Sequence, residues 1–250
     1  MLNTQNPPFD DPEVRLALAY ATDREAFTAA TTGGFEEVAD GPFAPTSPWY
    51  AKTDYPAHDQ TKARELVERA KGRHGGRIAF TLAVVANGTE QEAAQVLQQQ
   101  WSAVGIEATI DVREQAKHII NVVTGGYQAT VFAQFDAPSP LADGIWWDPD
   151  GAVAPPAFSL NFARNKDPRI GEALDASQAS TDRSAQKEQL AIVQQQLAKD
   201  LPYVWLTHQR VAIIASSRVV NIVRANLPDG TRSLDLNQGA HPLAQIWLRH

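Results

Sequence analysis

The sequence predicts an α/β fold, built on a mixed sheet with helices on its faces. Strand-like runs alternate with capped helices between residues 77 and 135, and this alternation is typical of a sheet whose strands are connected by helices. The chain has 250 residues, of which 43% are hydrophobic. A chain of this size and composition can bury a complete core in one or two domains.

The first two helices are predicted from their N-terminal signals. Asp11 is a good N-cap, and Pro12 suits the first helical position. Thr22 and Glu25 have the spacing of a capping box, so a second helix is expected to begin there. The apolar face of the first helix comprises four residues at helical spacing: Val14, Ala17, Leu18 and Ala21.

Three strands and three further helices follow a loop at residues 32–57 that is rich in Gly, Pro and Ser. Asp59 is expected to cap a helix that ends at Gly72. Residues 77–86 are apolar on both faces, as in a central strand. The next helix is predicted to begin at Thr89. The remaining elements are two strands and a helix. One strand, over 106–113, has a solvent-exposed face, and the other covers 127–135. The helix between them has its apolar residues at Ala116, Ile119, Ile120 and Val123.

Residues 136–166 break this alternation. They contain five Pro and a Trp pair, and loops of this length inside a compact domain are usually functional or disordered. The aromatic content favours an ordered, functional loop. Beyond it the sequence predicts a helix capped by Asp167-Pro168, a Gln-rich helix over 184–199, a strand over 203–215, and a tail with short β-like pieces from Ser216 onward.

Composition and motifs exclude several functions. The net charge of −7 argues against a nucleic-acid partner and against an anionic membrane surface. The chain has no Cys, which excludes disulfides and zinc-thiolate sites, and its six His show no metal-ligand spacing. No nucleophile elbow and no phosphate-binding Gly loop is present. We therefore predict no enzyme activity, no metal and no cofactor.

The chain resembles the family 5 solute-binding proteins of ABC importers, which bind oligopeptides, dipeptides or nickel. Residues 3–24, NTQNPPFDDPEVRLALAYATDR, combine the turn, cap and helix pattern that opens the second lobe of these two-lobed proteins. Further segments that resemble the family follow along nearly the whole chain: Gly41-Pro42, Ser47-Pro48-Trp49-Tyr50, residues 59–66, residues 161–165, Thr181-Asp182-Arg183 and residues 201–206.

The resemblance implies a lobe like those of class II periplasmic binding proteins. Residues 1–205 would form the second, ligand-contacting lobe, and residues 206–250 a tail that returns to the first lobe. The likeness covers only the C-terminal half of such a protein, without the first lobe, signal peptide or lipid-anchoring Cys, so we expect a fragment or an isolated lobe. The family's properties imply a peptide or similar small polar ligand, an ABC permease as membrane partner, and an extracytoplasmic location.

The best site candidate is Phe135-Asp136, at the end of the third predicted strand, because ligands of open α/β sheets bind beyond the carboxyl ends of strands. The family resemblance implies that Asp136 pairs with the α-amino group of a bound peptide, but a turn-forming role is an alternative. Trp146 and Trp147 could line the cleft, or they could pin the loop to the core. Asn161 and Arg164 match family positions near the cleft, and helix-cap or surface roles remain open for both.

Two other functions stay open at this point. One is a sensor or scaffold module, derived from a receptor, that has lost transport. The other is a small α/β hydrolase, for which a cluster of residues that gives turnover would be needed.

Overall fold

The structure, a computed structural model, describes residues 1–134, 139–210, 214–221 and 246–249. Phe135 and Asp136 therefore lie outside the described residues. The described helices are α1 (Pro12–Ala21), α2 (Arg24–Thr32), α3 (Gln60–Lys71), α4 (Gly88–Ser102), α5 (Gln115–Thr124), α6 (Pro168–Ala179) and α7 (Arg183–Asp200). The described strands are β1 (Glu37–Val38), β2 (Ile78–Val85), β3 (Ile106–Arg113), β4 (Ala129–Thr130), β5 (Thr207–His208), β6 (Val219–Val220) and β7 (Trp247–Leu248).

A three-stranded parallel sheet, in the order β3-β2-β4, forms the centre of the fold. All eight residues of β2 pair with β3, from Ile78 opposite Ile106 to Val85 opposite Arg113. Leu2 adds an antiparallel bridge to Ala129 in β4, and the pairs β1–β5 and β6–β7 are antiparallel. The predicted α/β fold with a mixed sheet is thus confirmed.

The observed helix starts follow the chemistry of capping, with two shifts from the prediction. Asp11, Asp59 and Asp167 each accept a hydrogen bond from a backbone N–H in the first turn of their helices, as predicted. The second helix, however, is capped by Asp23 rather than Thr22. α4 is capped by Asn87 rather than Thr89, because the Asn87 side chain accepts from the backbone N–H of Glu90 at 2.8 Å.

The predicted terminal strands are shorter in the structure. Among the described residues of the strand predicted over 127–135, only Ala129–Thr130 form a strand, β4. Of the strand predicted over 203–215, the described residues show only Thr207–His208, which pairs with Glu37–Val38. The domain boundary at residues 205 and 206 stays a prediction.

Of four apolar clusters among the described residues, the two larger ones hold the helices in place. The first packs α1, α3 and α4 against the sheet, with Phe80 at its centre between Phe9 (ring centroids 4.7 Å apart) and Trp101 (5.6 Å apart). The second packs α6 against α7 and includes Leu174 and Leu190. The buried Arg15 of α1 donates to the backbone carbonyl oxygen of Asp200, at the end of α7, at 2.6 Å. This hydrogen bond connects α1, in the first cluster, to the end of α7, which packs in the second cluster.

Candidate functional site

The carboxyl ends of β2, β3 and β4 meet at one edge of the sheet, because the three strands are parallel. Ligands of open α/β sheets bind beyond such an edge. The chain leaves β4 through Phe132, and after residues 135–138, which lie outside the description, it enters the loop over 139–166. The candidate site is therefore described from the residues on either side of Phe135 and Asp136.

Three side chains, Phe132, Trp146 and Phe162, form an aromatic cluster beside this edge. Trp146 ends a 3-10 helix over Ala142–Trp146 and is half-buried. Its ring centroid lies 5.3 Å from that of Phe162, and the Phe132 centroid lies 5.6 Å from that of Phe162. Tyr127 fixes the cluster, since its hydroxyl donates to the Phe162 carbonyl oxygen at 2.7 Å. The cluster brings the predicted contact Trp146 together with Phe132, which the family resemblance offers as a stand-in for a missing Trp, and with Phe162, which the sequence did not single out.

His118 connects the aromatic cluster to the sheet. Its ring stacks on Phe132 at 6.3 Å with an interplanar angle of 20°, and its Nε2 lies 3.1 Å from the Thr130 hydroxyl at the end of β4. Only 1% of His118 is exposed. Burial lowers the pKa of His118 below its usual 6.5, so the ring is neutral at pH 7.

Trp147 points away from this cluster into the second apolar core. It is 3% exposed, and its ring meets Phe43 edge-on at 6.1 Å. Its indole nitrogen is buried without a hydrogen-bond partner among the described residues. This position favours the alternative in which Trp147 pins the loop to the core, and its contact with a ligand stays a prediction.

Asn161 holds two parts of the loop together from inside. It is 1% exposed, and its amide nitrogen donates to the carbonyl oxygens of Asp148 and Asn165, both at 3.0 Å. A surface role for Asn161 is therefore wrong. The geometry instead favours an internal bridge across the loop, and direct ligand contact stays a prediction.

Arg164 is fully buried, and within the described ranges its guanidinium donates to three backbone carbonyl oxygens. It reaches Val123 at the end of α5 at 3.0 Å, Val153 at 3.1 Å and Ala157 at 3.2 Å. Desolvation lowers the pKa of Arg164. Its φ of +54° lies in the left-handed region that non-glycine residues rarely adopt. Arg164 therefore fastens the loop to α5, and its predicted ligand contact is untested.

The sequence did not single out three residues at this edge, Arg113, His118 and Phe162. His118 was considered only as a possible metal ligand, for which its spacing gave no support. A usable signal was the pair Asp111 and Arg113 at the very end of a strand that was correctly predicted. Oppositely charged residues at the C-terminal end of a parallel strand lie at the edge of the sheet where ligands bind.

Two cavities lie away from this edge. One of about 590 Å³ opens at the amino ends of β2 and β3, beside Arg77 and Glu107. A polar one of about 350 Å³ is lined by residues of both charges, among them Arg15, Asp167 and Asp200. Neither includes a residue of the aromatic cluster.

Within the described ranges, His, Asp and Glu side chains form no group of three or more that could hold a metal ion. No helix in the same ranges combines the length and apolar character needed to cross a membrane.

Solved structures similar to this chain are periplasmic binding proteins. The oligopeptide-binding protein AppA from Bacillus subtilis, in complex with a nonapeptide, superposes with a TM-score of 0.81 at 21% identity, over 100% of this chain and 50% of that one. The periplasmic binding protein DppA from Helicobacter pylori, in complex with the peptide STSA, gives a TM-score of 0.70 at 24% identity, over 82% of this chain and 40% of that one. These likenesses confirm the predicted fold of a periplasmic-binding-protein lobe.

The profile of bacterial extracellular solute-binding proteins, family 5 Middle, matches residues 1–162, and the chain belongs to this family. A glutathione-binding protein of Pectobacterium atrosepticum is 26% identical over 226 residues, which cover 87% of this chain and 43% of the relative. A probable di/tripeptide-binding protein of Pseudomonas aeruginosa is 30% identical over 182 residues, covering 72% and 34%. The chain thus spans less than half of the length of these curated relatives, which are solute-binding proteins and not enzymes.

Proposed function

We propose that this chain is the ligand-contacting lobe of the substrate-binding component of an ABC importer. The complete protein lies outside the cytoplasm. It captures a peptide or a similar small polar solute by closing two lobes around it, and delivers the solute to a permease in the membrane. The observation that carries the proposal is the family match over residues 1–162. Relatives described as binding glutathione or di- and tripeptides support this class of solute.

The proposed binding surface is the carboxyl edge of the sheet. The Asp136 carboxylate accepts hydrogen bonds from the ammonium group of the solute. Phe135 and the aromatic cluster contact the apolar parts of the solute. The half-buried Trp146 supports this assignment, because an aromatic ring at a cleft offers contact area at little entropic cost. Trp147, Asn161 and Arg164 contribute by holding the loop that presents Trp146.

The test is an NMR titration of the chain with trialanine, using the indole N–H signals of its six Trp. Binding weaker than about 1 mM is expected, because one lobe supplies only half of the contacts. The Trp146 signal should shift saturably, whereas Trp101, whose indole donates to the buried Thr22 hydroxyl at 3.0 Å, should not. Maltose serves as the control ligand. A chain that shows no saturable shift with trialanine or with reduced glutathione would contradict the proposal.

Asp136→Ala tests the role of the carboxylate in the same titration. In the closed cleft of the complete protein, a desolvated ammonium group left without its partner costs roughly 2–5 kcal/mol. On this single lobe water screens the charge, so we expect a smaller loss, seen as a Trp146 shift that saturates only at higher trialanine concentration. The matched control is Asp150→Ala, which removes an exposed carboxylate from the same loop. An unchanged dissociation constant in Asp136→Ala would remove this residue from the site. A large fall in its melting temperature would favour a turn-forming role.

A further inference from the structure

The polar cavity of about 350 Å³ lies on the far side of the sheet from the carboxyl edge. The first residues of the chain run antiparallel to β4, and the backbone N–H of Asn3 donates to the Gln128 carbonyl oxygen at 2.8 Å. The side-chain amide of Asn6 then donates to the Tyr127 carbonyl oxygen at 2.8 Å, before the amino end of β4. The cavity opens between this part of the chain, residues 164–167 and the end of α7. It is therefore separate from the surface proposed for the solute.

Buried polar and charged side chains line this cavity. Arg15, Asn165 and Asp167 all contribute to its wall, although each is only 9% exposed. Charged side chains are almost never buried to this degree unless they are paired. The volume lies within the range of about 300–1,000 Å³ that is typical of small-molecule pockets. A cavity of this size with this lining suits a small charged molecule better than an apolar one.

Arg15 brings to the cavity a hydrogen-bond donor that no described residue uses. Its Nε donates to the backbone carbonyl oxygen of Asp200 at 2.6 Å, and its Nη1 donates to that of Phe9 at 2.7 Å. Its Nη2 makes no hydrogen bond within the described ranges. Because the guanidinium is planar, the two bonds that it does make also fix the position of Nη2. A buried cation with a free donor in a fixed position is suited to bind a carboxylate.

Asp200 brings the opposite charge to the same cavity. One of its carboxylate oxygens accepts from the Asn165 amide at 3.1 Å. The nearby cations leave it without an ion pair: Arg15 acts on it only through space, and Arg169 is bound to Asp167 at 2.6 Å. Burial and the neighbouring Asp167 raise the pKa of Asp200. The Asp200 carboxylate therefore lacks a cationic partner, which an ammonium group in the cavity would supply.

We propose that this cavity binds a small zwitterion, such as a free α-amino acid, with its carboxylate on Arg15 and its ammonium group on Asp200. The two ends of such a molecule match the free donor on one wall and the acceptor without a cation on the other. The exposed side chains of Lys166 and Asp10 add one charge of each sign around the cavity. This site and the surface proposed for the solute lie on opposite sides of the sheet, and neither depends on the other.

The experiment follows the side-chain amide signals of Asn165 by NMR, at constant ionic strength, with L-alanine as the probe. Propionate is alanine without the ammonium group, and ethylamine is alanine without the carboxylate. We expect alanine to give a saturable shift and each analogue to bind at least about tenfold more weakly, because each loses one charge-assisted contact. Binding of either analogue as tight as that of alanine would overturn the proposal.

Asp200→Asn removes the partner proposed for the ammonium group. It should weaken alanine binding at least about tenfold and should not weaken the binding of propionate. The matched control is Asp175→Asn, which removes an exposed carboxylate of α6 that does not line the cavity, and which should bind alanine as the wild type does. Arg15 stays intact, because its hydrogen bonds connect α1 to α7, and the comparison of alanine with ethylamine in the wild type tests its role instead.

A second readout is the pKa of Asp200, followed through its carboxyl carbon signal and assigned with Asp200→Asn. An ammonium group beside the carboxylate favours the ionised form, so saturating alanine should lower this pKa and propionate should not. An unchanged pKa at saturation would remove Asp200 from the site.

The outcomes separate this site from the proposed function. A response to alanine at the Trp146 indole without one at Asn165 would place alanine at the carboxyl edge and overturn the site described here. The absence of a saturable shift at Asn165 overturns it in the same way. If alanine shifts Asn165 and trialanine leaves Trp146 unmoved, the zwitterion site stands although the peptide-binding function fails.

Discussion

Replacement of Arg164 by methionine removes the group that fastens the loop over 139–166 to α5. The guanidinium donates to three backbone carbonyl oxygens, those of Val123, Val153 and Ala157, at 3.0 to 3.2 Å. A hydrogen bond from a charged donor contributes about 1.5–3 kcal/mol, and a buried acceptor left unpaired costs about 1–3 kcal/mol. Because methionine keeps much of the volume, the loss comes mainly from the hydrogen bonds rather than from a cavity.

These contributions do not add in full, since the three acceptors share one side chain. We therefore expect Arg164→Met to lower the free energy of unfolding by about 3–5 kcal/mol, the upper range for a single substitution. Urea unfolding followed by tryptophan fluorescence measures it. The matched control, Arg77→Met, removes an arginine whose side chain is 69% exposed and should change stability by less than about 0.5 kcal/mol.

The m-value separates two possible outcomes for Arg164→Met. A lower urea midpoint with an unchanged m-value means that the whole domain has lost stability. A lower m-value means that the loop has already detached in the native state, so that less surface becomes exposed on unfolding. A loss smaller than about 1 kcal/mol would refute the reasoning. The loop would then be held by its apolar contacts, and the hydrogen bonds of Arg164 would be replaceable by water.

Three further predictions concern other parts of the fold. Gly125→Ala should destabilise the chain by more than about 1 kcal/mol in urea, because Gly125 has a φ of +75° and a Cβ there would collide with Arg164. Asp11→Ala should cost about 1 kcal/mol in thermal unfolding through the lost helix cap, and Asp11→Asn less, since asparagine also caps. Burial and the nearby Asp167 raise the pKa of Asp200, so the contribution of Asp200 to stability should fall as pH rises from 3.8 through that raised value. In unfolding curves recorded across that range, the stability difference between the wild type and Asp200→Asn should therefore shift in favour of the variant as pH rises.

The strands and most helix starts could be predicted because their signals are local. β2 and β3 follow from runs of eight residues whose apolar pattern matches a central and an edge strand. The caps at Asp11, Asp59 and Asp167 need only the side chain and the next few backbone N–H groups. Where two capping residues stood close together, as Thr22 and Asp23 do, the spacing alone did not choose between them.

The orientation of α5 shows why other features could not be predicted. Its apolar residues Ile119 and Ile120 are 44% and 60% exposed, whereas His118 is buried. A histidine on the inner face is acceptable only because Thr130, twelve residues away, offers it a hydrogen-bond partner and Phe132 a stacking surface. Likewise, the burial of Arg164 depends on the Val123 carbonyl 41 residues earlier in the chain. Such long-range partners leave no trace in local spacing.

α5 is the element that connects the parts of the candidate site. Its N-terminus follows directly from Arg113 at the end of β3, its middle carries His118 against Phe132, and its C-terminus holds Arg164 through the carbonyl oxygen of Val123. The edge of the sheet, the aromatic cluster and the loop are therefore fixed to a single helix. Binding surfaces built on such rigid elements hold their geometry better than free loops do. A substitution that shifts α5 should consequently change the contacts at Arg113 and at Trp146 together, even though these two residues lie on different segments of the chain.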